Sequence, residues 1–337
     1  MRYNGREGRA MGREKRRREA DRTSFRTALR ELQRAYSDPN AGHVIHAYDD
    51  ARRRSRLFGV LTAAIERIYP VREFLRLAAE LFDPAIGECG LHDGCRRILD
   101  ALPLEWERVL PQGAIDRLRT APVIFYGNHP SLLTPFLLAA SIDREDVSFL
   151  STSYVRRLIP SFRDYCLRLE VSLTRSWTEW RRGGLRRALA YRLLSLIHAV
   201  PSPAEAKRIN RQAIEDALAR LRAGESIMII PGGGGKRDRK WFPGIGIIAR
   251  RLVEEPGREP AWVVPVREEN SSNQRLYAML MHGILARSRR RRFDRLPVRF
   301  LLAAPTPLVD VVGTVPTVEG AVAALRSHCR RAFPESD

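Results

Sequence analysis

Asn128-His129-Pro130-Ser131 lies one residue, Gly127, beyond the apolar run Val123-Ile124-Phe125-Tyr126. A histidine just past a short strand stands where α/β scaffolds commonly place reactive groups. Neutral imidazole can take the proton from a hydroxyl while its oxygen attacks an acyl carbonyl. Ser131 is placed to bind substrate, cap a following helix or shape the loop. A second loop, Pro231-Gly232-Gly233-Gly234-Gly235-Lys236-Arg237-Asp238-Arg239, leaves the apolar run Ile227-Met228-Ile229-Ile230. Its glycines let backbone amides close on an anion, and Lys236, Arg237 and Arg239 add positive charge. The lysine-then-serine/threonine ending of a nucleotide P-loop is missing, so this is not one. Cys166 carries a thiol that could form an acyl-enzyme, but a buried thiol on an apolar face is the plainer reading.

The elements that must hold these loops can be read from periodicity. Residues 1–22 are basic and polar and read as a tail, followed by a short helix over 25–36 that Ser37-Asp38-Pro39-Asn40 stops. Leu61, Ile65 and Ile68 precede Pro70 at helical spacing, and Val71, Phe74, Leu75 and Ala78 follow it, so an amphipathic helix breaks or bends there. More helix is expected near 96–104. From about residue 120 strands are expected at 123–126, 147–150, 227–230, 262–266 and 298–303. Between them, Ile209, Ala213, Ile214, Ala217, Leu218 and Leu221 line one helical face, which Gly224 ends. A last helix is expected over 318–331. The fold class is therefore α/β, a mixed sheet flanked by helices, with an N-terminal helical region. The expected parts are a basic tail and short helix over 1–57, a helical cap over 58–119 and the α/β domain over 120–337.

Composition narrows the partners. The 337 residues carry a formal charge of +20, which favours anionic partners such as phosphorylated metabolites, acidic carrier proteins or anionic lipid. A hydrophobic content of 44% argues against a disordered chain. The four cysteines make neither a disulfide framework nor closely spaced metal-binding pairs, so they read as reduced cytosolic thiols. No apolar stretch follows the basic N-terminal segment, as a secretory signal would require. Residues 121–142 lack formal charge, yet Asn128, His129 and prolines interrupt them; strand, loop and helix start fit better than a lipid-exposed span.

Taken together, Asn128-His129-Pro130-Ser131-Leu132-Leu133-Thr134 and Ile230-Pro231-Gly232-Gly233-Gly234 resemble the glycerolipid acyltransferase family, which includes lysophosphatidate and glycerol-3-phosphate acyltransferases. Arg156-Arg157, Pro160 and Arg175 look like that family's intervening substrate-binding section, and Val263-Val264-Pro265-Val266 like its later hydrophobic motif. The resemblance spans roughly residues 121–304. It implies transfer of an acyl group from an acyl-coenzyme A (acyl-CoA) or acyl-carrier-protein thioester to a hydroxyl of a glycerol-phosphate or lysophospholipid-like acceptor. It makes His129 the general base, with Asn128, Ser131, Thr134, Arg156, Arg175, Gly233, Gly234, Lys236 and Arg237 in substrate binding. It implies no metal and no tightly bound cofactor, the thioester being a donor substrate. Expected partners are that donor and, by peripheral contact, an anionic membrane; nucleic acid is not expected. The expected location is cytoplasmic, at the cytoplasmic face of the membrane where contact is made. Alternatives are a specialised O- or N-acyltransferase for another metabolite and a catalytically degenerate lipid-binding protein.

Two positions depart from the family pattern. Thr134 stands where the family has an aspartate, and threonine supplies no carboxylate to stabilise imidazolium. Gly232 stands where many members carry glutamate. Asp143, Asp146, Asp164 and Asp238 are the carboxylates that could approach His129 instead. Residues 177–200, with Trp177, Trp180 and several arginines among leucines, read either as an interfacial helix or as a core-packed one with a basic face. The run from Arg287 to Arg292 is a further anionic contact candidate.

Overall fold

The computed structural model describes residues 5–38, 40–67, 70–170, 201–232, 241–255, 261–272, 275–276 and 295–334. The chain divides into two compact units, each built from its own core. Described residues up to Glu80, with Arg157–Pro160, make the first, and Leu81–Arg156, residues 161–170 and the described residues from 201 onward make the second.

The first unit is helical: α1 Gly5–Ser37, α2 Ala41–Arg54, α3 Arg56–Glu66 and α4 Val71–Leu77. The expected tail over 1–22 is corrected, since α1 begins at Gly5 and runs through the expected short helix. Arginine, glutamate and alanine dominate this stretch, and all three form helix readily even where no apolar face announces it. Asn40 caps α2 by accepting from His43 N, and Ser55 caps α3 by accepting from Phe58 N. Leu32, Tyr36, Val44, Tyr48, Phe58 and Ile65 are buried here. Tyr48 and Arg52 both donate to the Glu66 carboxylate, tying α2 to α3. The break expected around Pro70 is present, with α3 ending at Glu66 and α4 starting at Val71.

A π-helical turn at Ala78–Phe82 spans the boundary, and the chain goes on through α5 Asp83–Ala101, β1 Leu104–Val109, α6 Ala114–Thr120, β2 Val123–Gly127, α7 Thr134–Ser141, β3 Val147–Thr152, α8 Ser153–Leu158, whose last two residues belong to the first unit, and β4 Cys166–Leu169. Then come α9 Pro203–Arg222, β5 Ser226–Ile229, α10 Gly244–Val253, β6 Trp262–Glu269, β7 Leu296–Leu302, β8 Thr306–Pro307, α11 Leu308–Val312 and α12 Val318–Ala332. Among the described residues eight strands form one mixed sheet in the order β1-β7-β6-β2-β5-β3-β4, with β8 on β6. β6, β2, β5, β3 and β4 run parallel, while β7 pairs antiparallel to β6 and parallel to β1. This is the mixed, helix-flanked sheet the periodicity implies. β1, β4 and β8 were not expected; they are short strands that lack a continuous apolar run.

Two cores pack against the sheet. Ile124, Tyr126, Ile227, Ile229 and Val263 meet Leu218, Leu221, Ile245, Ile248 and Leu325 from α9, α10 and α12. Phe136 on α7 lies 5.3 Å from Phe82 and 5.7 Å from Phe162, which is 5.1 Å from Phe149. Each such fully buried side chain contributes about 2–3 kcal/mol. Polar groups fix the connections. α5 kinks at Gly90 (φ +80), and the Glu145 carboxylate accepts from Leu91 N and His92 N, capping the second half of the helix. The buried Arg144 guanidinium pairs with Asp146 and donates to the carbonyls of Leu118, Ala121 and Gly224, closing the ends of α6 and α9.

Candidate functional site

β2 and β5 end almost together, while β6 runs on to Glu269. Tyr126 is in register with Ile229 of β5, and Gly127 with Val266 of β6. The histidine loop and the base of the glycine-rich loop therefore leave the same end of the sheet, the carboxyl ends of its parallel strands. At the loop base Phe242 N donates to Pro231 O, and Trp241 packs edge-on to Tyr126 with ring centroids 5.9 Å apart. Gly127 is a glycine for a steric reason: a Cβ there would stand 1.8 Å from Val266 O. That close approach lets Asn128 clasp the end of β6, its Oδ1 accepting from Glu268 N at 2.9 Å and its Nδ2 donating to Glu268 O at 3.3 Å.

The side chain of Glu268 completes the clasp. It is 2% exposed, and its carboxylate accepts from Ser131 Oγ at 2.5 Å and from the hydroxyls of Thr134 and Ser271. Ser131 Oγ in turn accepts from Leu133 N, and Thr134 Oγ1 also reaches Ser131 O at 2.9 Å. Burial pushes the Glu268 carboxyl upward, and the three hydroxyl donors pull it back less strongly. Either protonation state fits the geometry. When Glu268 is ionised, Thr134 donates to it; when it is protonated, Thr134 can donate to Ser131 O and accept from Glu268.

His129 sits between these anchors. The residue keeps partial exposure, while its Nδ1 is sealed from solvent and has no hydrogen-bond partner. Burial lowers its pKa from 6.5 to about 4, so the ring is neutral at physiological pH. None of Asp143, Asp146 and Asp164 supports it. Asp143 pairs with Arg119, Asp146 pairs with Arg144, and Asp164 is exposed. Asp238 lies outside the described residues.

The structure thus joins Asn128, Ser131 and Thr134 through Glu268. Ser131 and Thr134 are fully buried, with their hydroxyls turned to Glu268. Arg156 lies on α8, partly exposed, with its Nε buried and unpartnered. Cys166 on β4 is buried, and its thiol is pushed up to about 12 by desolvation, against a smaller opposing pull from the charge of Arg156. A thiol at that value is no nucleophile at neutral pH. Arg175, Gly233, Gly234, Lys236 and Arg237 lie outside the described residues, as do residues 177–200 and 287–292. Among the described residues no group of three or more His, Cys, Asp and Glu side chains could hold a metal ion. Also among them, no helix is long and apolar enough to cross a membrane.

Glu268 is the site residue that the sequence reading missed. A signal was present: a glutamate two positions after Val266, in alternation with Val264 and Val266 along an apolar strand, points to the face those valines bury.

No family model and no curated protein matches this chain. Among solved structures it is similar to the 1-acyl-sn-glycerophosphate (LPA) acyltransferase PlsC from Thermotoga maritima, with 12% sequence identity and a TM-score of 0.40, covering 82% of this chain and 97% of that one. At that level the function has to be argued from the site.

Proposed function

We propose that this chain is a thioester-dependent acyltransferase in which His129 is the general base toward an acceptor hydroxyl. The observation that carries the reading is His129 itself, a neutral imidazole at the carboxyl end of β2 that keeps partial exposure while its Nδ1 is sealed from solvent. With Nδ1 sealed from solvent, an acceptor hydroxyl would donate to Nε2, the ring nitrogen that is not sealed, and stand ready to lose its proton there. Its oxygen attacks the thioester carbonyl, the proton passes to His129, the carbon–sulfur bond breaks, and the proton follows to the departing thiolate. Asn128, Ser131 and Thr134 serve by shaping the loop. Arg156, Arg175, Lys236 and Arg237, with the amides of Gly233 and Gly234, form the anion-binding part. The acceptor class is a phosphate-bearing alcohol, glycerol phosphate or a lysophospholipid, and the donor is acyl-CoA or an acidic acyl carrier protein. The excess of positive charge suits such anions and peripheral contact with an anionic membrane surface at its cytoplasmic face.

One observation favours a second reading. No carboxylate among the described residues bonds to His129, and a base near pKa 4 is weak. A neutral amine is already nucleophilic and asks less of that base, so an N-acyltransferase is the alternative. Incubation with acyl-CoA and acyl-carrier-protein donors and a panel of lysophosphatidate, glycerol 3-phosphate and primary amines, with products followed by mass spectrometry, tests both. Ester formation on the phosphate-bearing alcohols supports the first reading, and amide formation alone supports the second. No product from any pair counts against acyl transfer.

A further inference from the structure

Among groups near the histidine loop, Glu268 makes the most bonds to it, and the expected chemistry gives it no task. Carboxylates are rarely buried, because removing the charge from water costs several kcal/mol unless hydrogen bonds replace the lost hydration. Here the replacement comes from Ser131, Thr134 and Ser271, and the first two flank the turn that follows His129. The backbone of the same residue is held by Asn128, the residue before His129. His129 is thus bracketed on both sides in sequence by residues fastened to a single residue of β6.

We infer that Glu268 is the positioning residue of this site: its carboxylate folds residues 128–134 into the one shape that seals and aims the His129 imidazole. The bracket also accounts for Thr134. A carboxylate at that position would face Glu268 at hydrogen-bond distance, and two carboxylates sharing such a site cannot both ionise. A hydroxyl there donates instead, and the site keeps one carboxylate, on the strand rather than on the helix.

The positioning role makes a distinction between two substitutions. In Glu268→Gln the amide oxygen can keep the Ser131 and Ser271 donors. Its NH2 can face Thr134 Oγ1, whose own proton is free to go to Ser131 O at 2.9 Å. The bracket then survives without charge. In Glu268→Ala all three hydroxyls lose their acceptor and the loop is released.

The inference rests on the proposed function only for its kinetic arm. That arm compares single-turnover rate and KM for a thioester donor in wild type, Glu268→Gln and Glu268→Ala, each checked for folding by circular dichroism. The expected result is a rate within about threefold of wild type for Gln, and a loss on the order of a hundredfold for Ala with KM little changed. The second arm needs no activity. It follows the His129 ring by NMR titration in isotope-labelled protein, assigned with a His129→Gln sample. In wild type and Glu268→Gln the ring should titrate near the low value set by burial, and in Glu268→Ala its midpoint should move toward that of an exposed histidine. An unmoved His129 midpoint in folded Glu268→Ala would overturn the inference whatever becomes of the acyltransferase reading. Glu268→Gln as impaired as Glu268→Ala would also overturn it, because the role would then lie in charge and not in position.

Discussion

Acidification should cost this protein stability through His129, by an amount the structure bounds. The ring titrates at 6.5 when exposed and at about 4 when buried. Between those values the unfolded chain holds a proton that the folded chain refuses, so stability falls as pH drops from 6.5 to 4 and the loss then levels off. A difference of two and a half pKa units corresponds to about 3 kcal/mol, an upper bound because the residue keeps some exposure. Glu268 works in the opposite sense: its raised pKa makes stability fall as pH rises above the ordinary carboxylate range. The two contributions overlap, and the assay must separate them. Urea unfolding of wild type and His129→Gln, followed by tryptophan fluorescence at pH 7, 5.5 and 4, does so because Glu268 is common to both. The stability difference should move by 1–3 kcal/mol in favour of the variant between pH 7 and pH 4, on the order of the bound above. A difference that stays constant over that range would refute the claim that His129 is buried in its neutral form.

Three further outcomes follow from neighbouring geometry. Gly127→Ala drives a Cβ into Val266 O and must part β2 from β6, costing about 2–4 kcal/mol and loosening the Asn128 clasp; denaturant titration measures the first and His129 NMR the second. Thr134→Asp sets a second carboxylate against Glu268, so the variant should be destabilised at neutral pH and recover relative to wild type on mild acidification, which thermal melts at pH 7 and 5 will show. Arg144→Met removes the donor of three carbonyl hydrogen bonds, and a loss of about 2–4 kcal/mol is expected by urea unfolding with no change in the His129 titration.

The central strands were legible in the sequence because burial on both faces makes them continuous apolar runs, as at Val123 to Tyr126 and Ile227 to Ile229. α9 was legible because its apolar residues recur on one face and Gly224, at φ +88, ends it. β1 was missed although Leu104 and Trp106 alternate with Glu105 and Glu107, because the pattern is only six residues long and follows closely on the end of α5. α1 was hidden because a basic run reads as a tail when no apolar stripe interrupts it. At the site, His129 and its loop were visible as a local motif. Glu268 was not, since it lies 139 positions beyond His129 and reaches the loop only through the β2–β6 register. The alternation of Val264, Val266 and Glu268 hints at a buried face, but the parallel pairing that brings Glu268 to the histidine loop is written in no local pattern.

The claim that His129 is the base is tested most directly by one comparison. Single-turnover acyl transfer is measured for wild type and His129→Ala at saturating thioester donor, with an acceptor alcohol that the wild type uses and with both proteins folded. Removal of a general base should lower the rate about 10²–10⁴-fold while donor binding, read by equilibrium titration, stays near that of wild type. Equal rates in the two proteins would contradict the account.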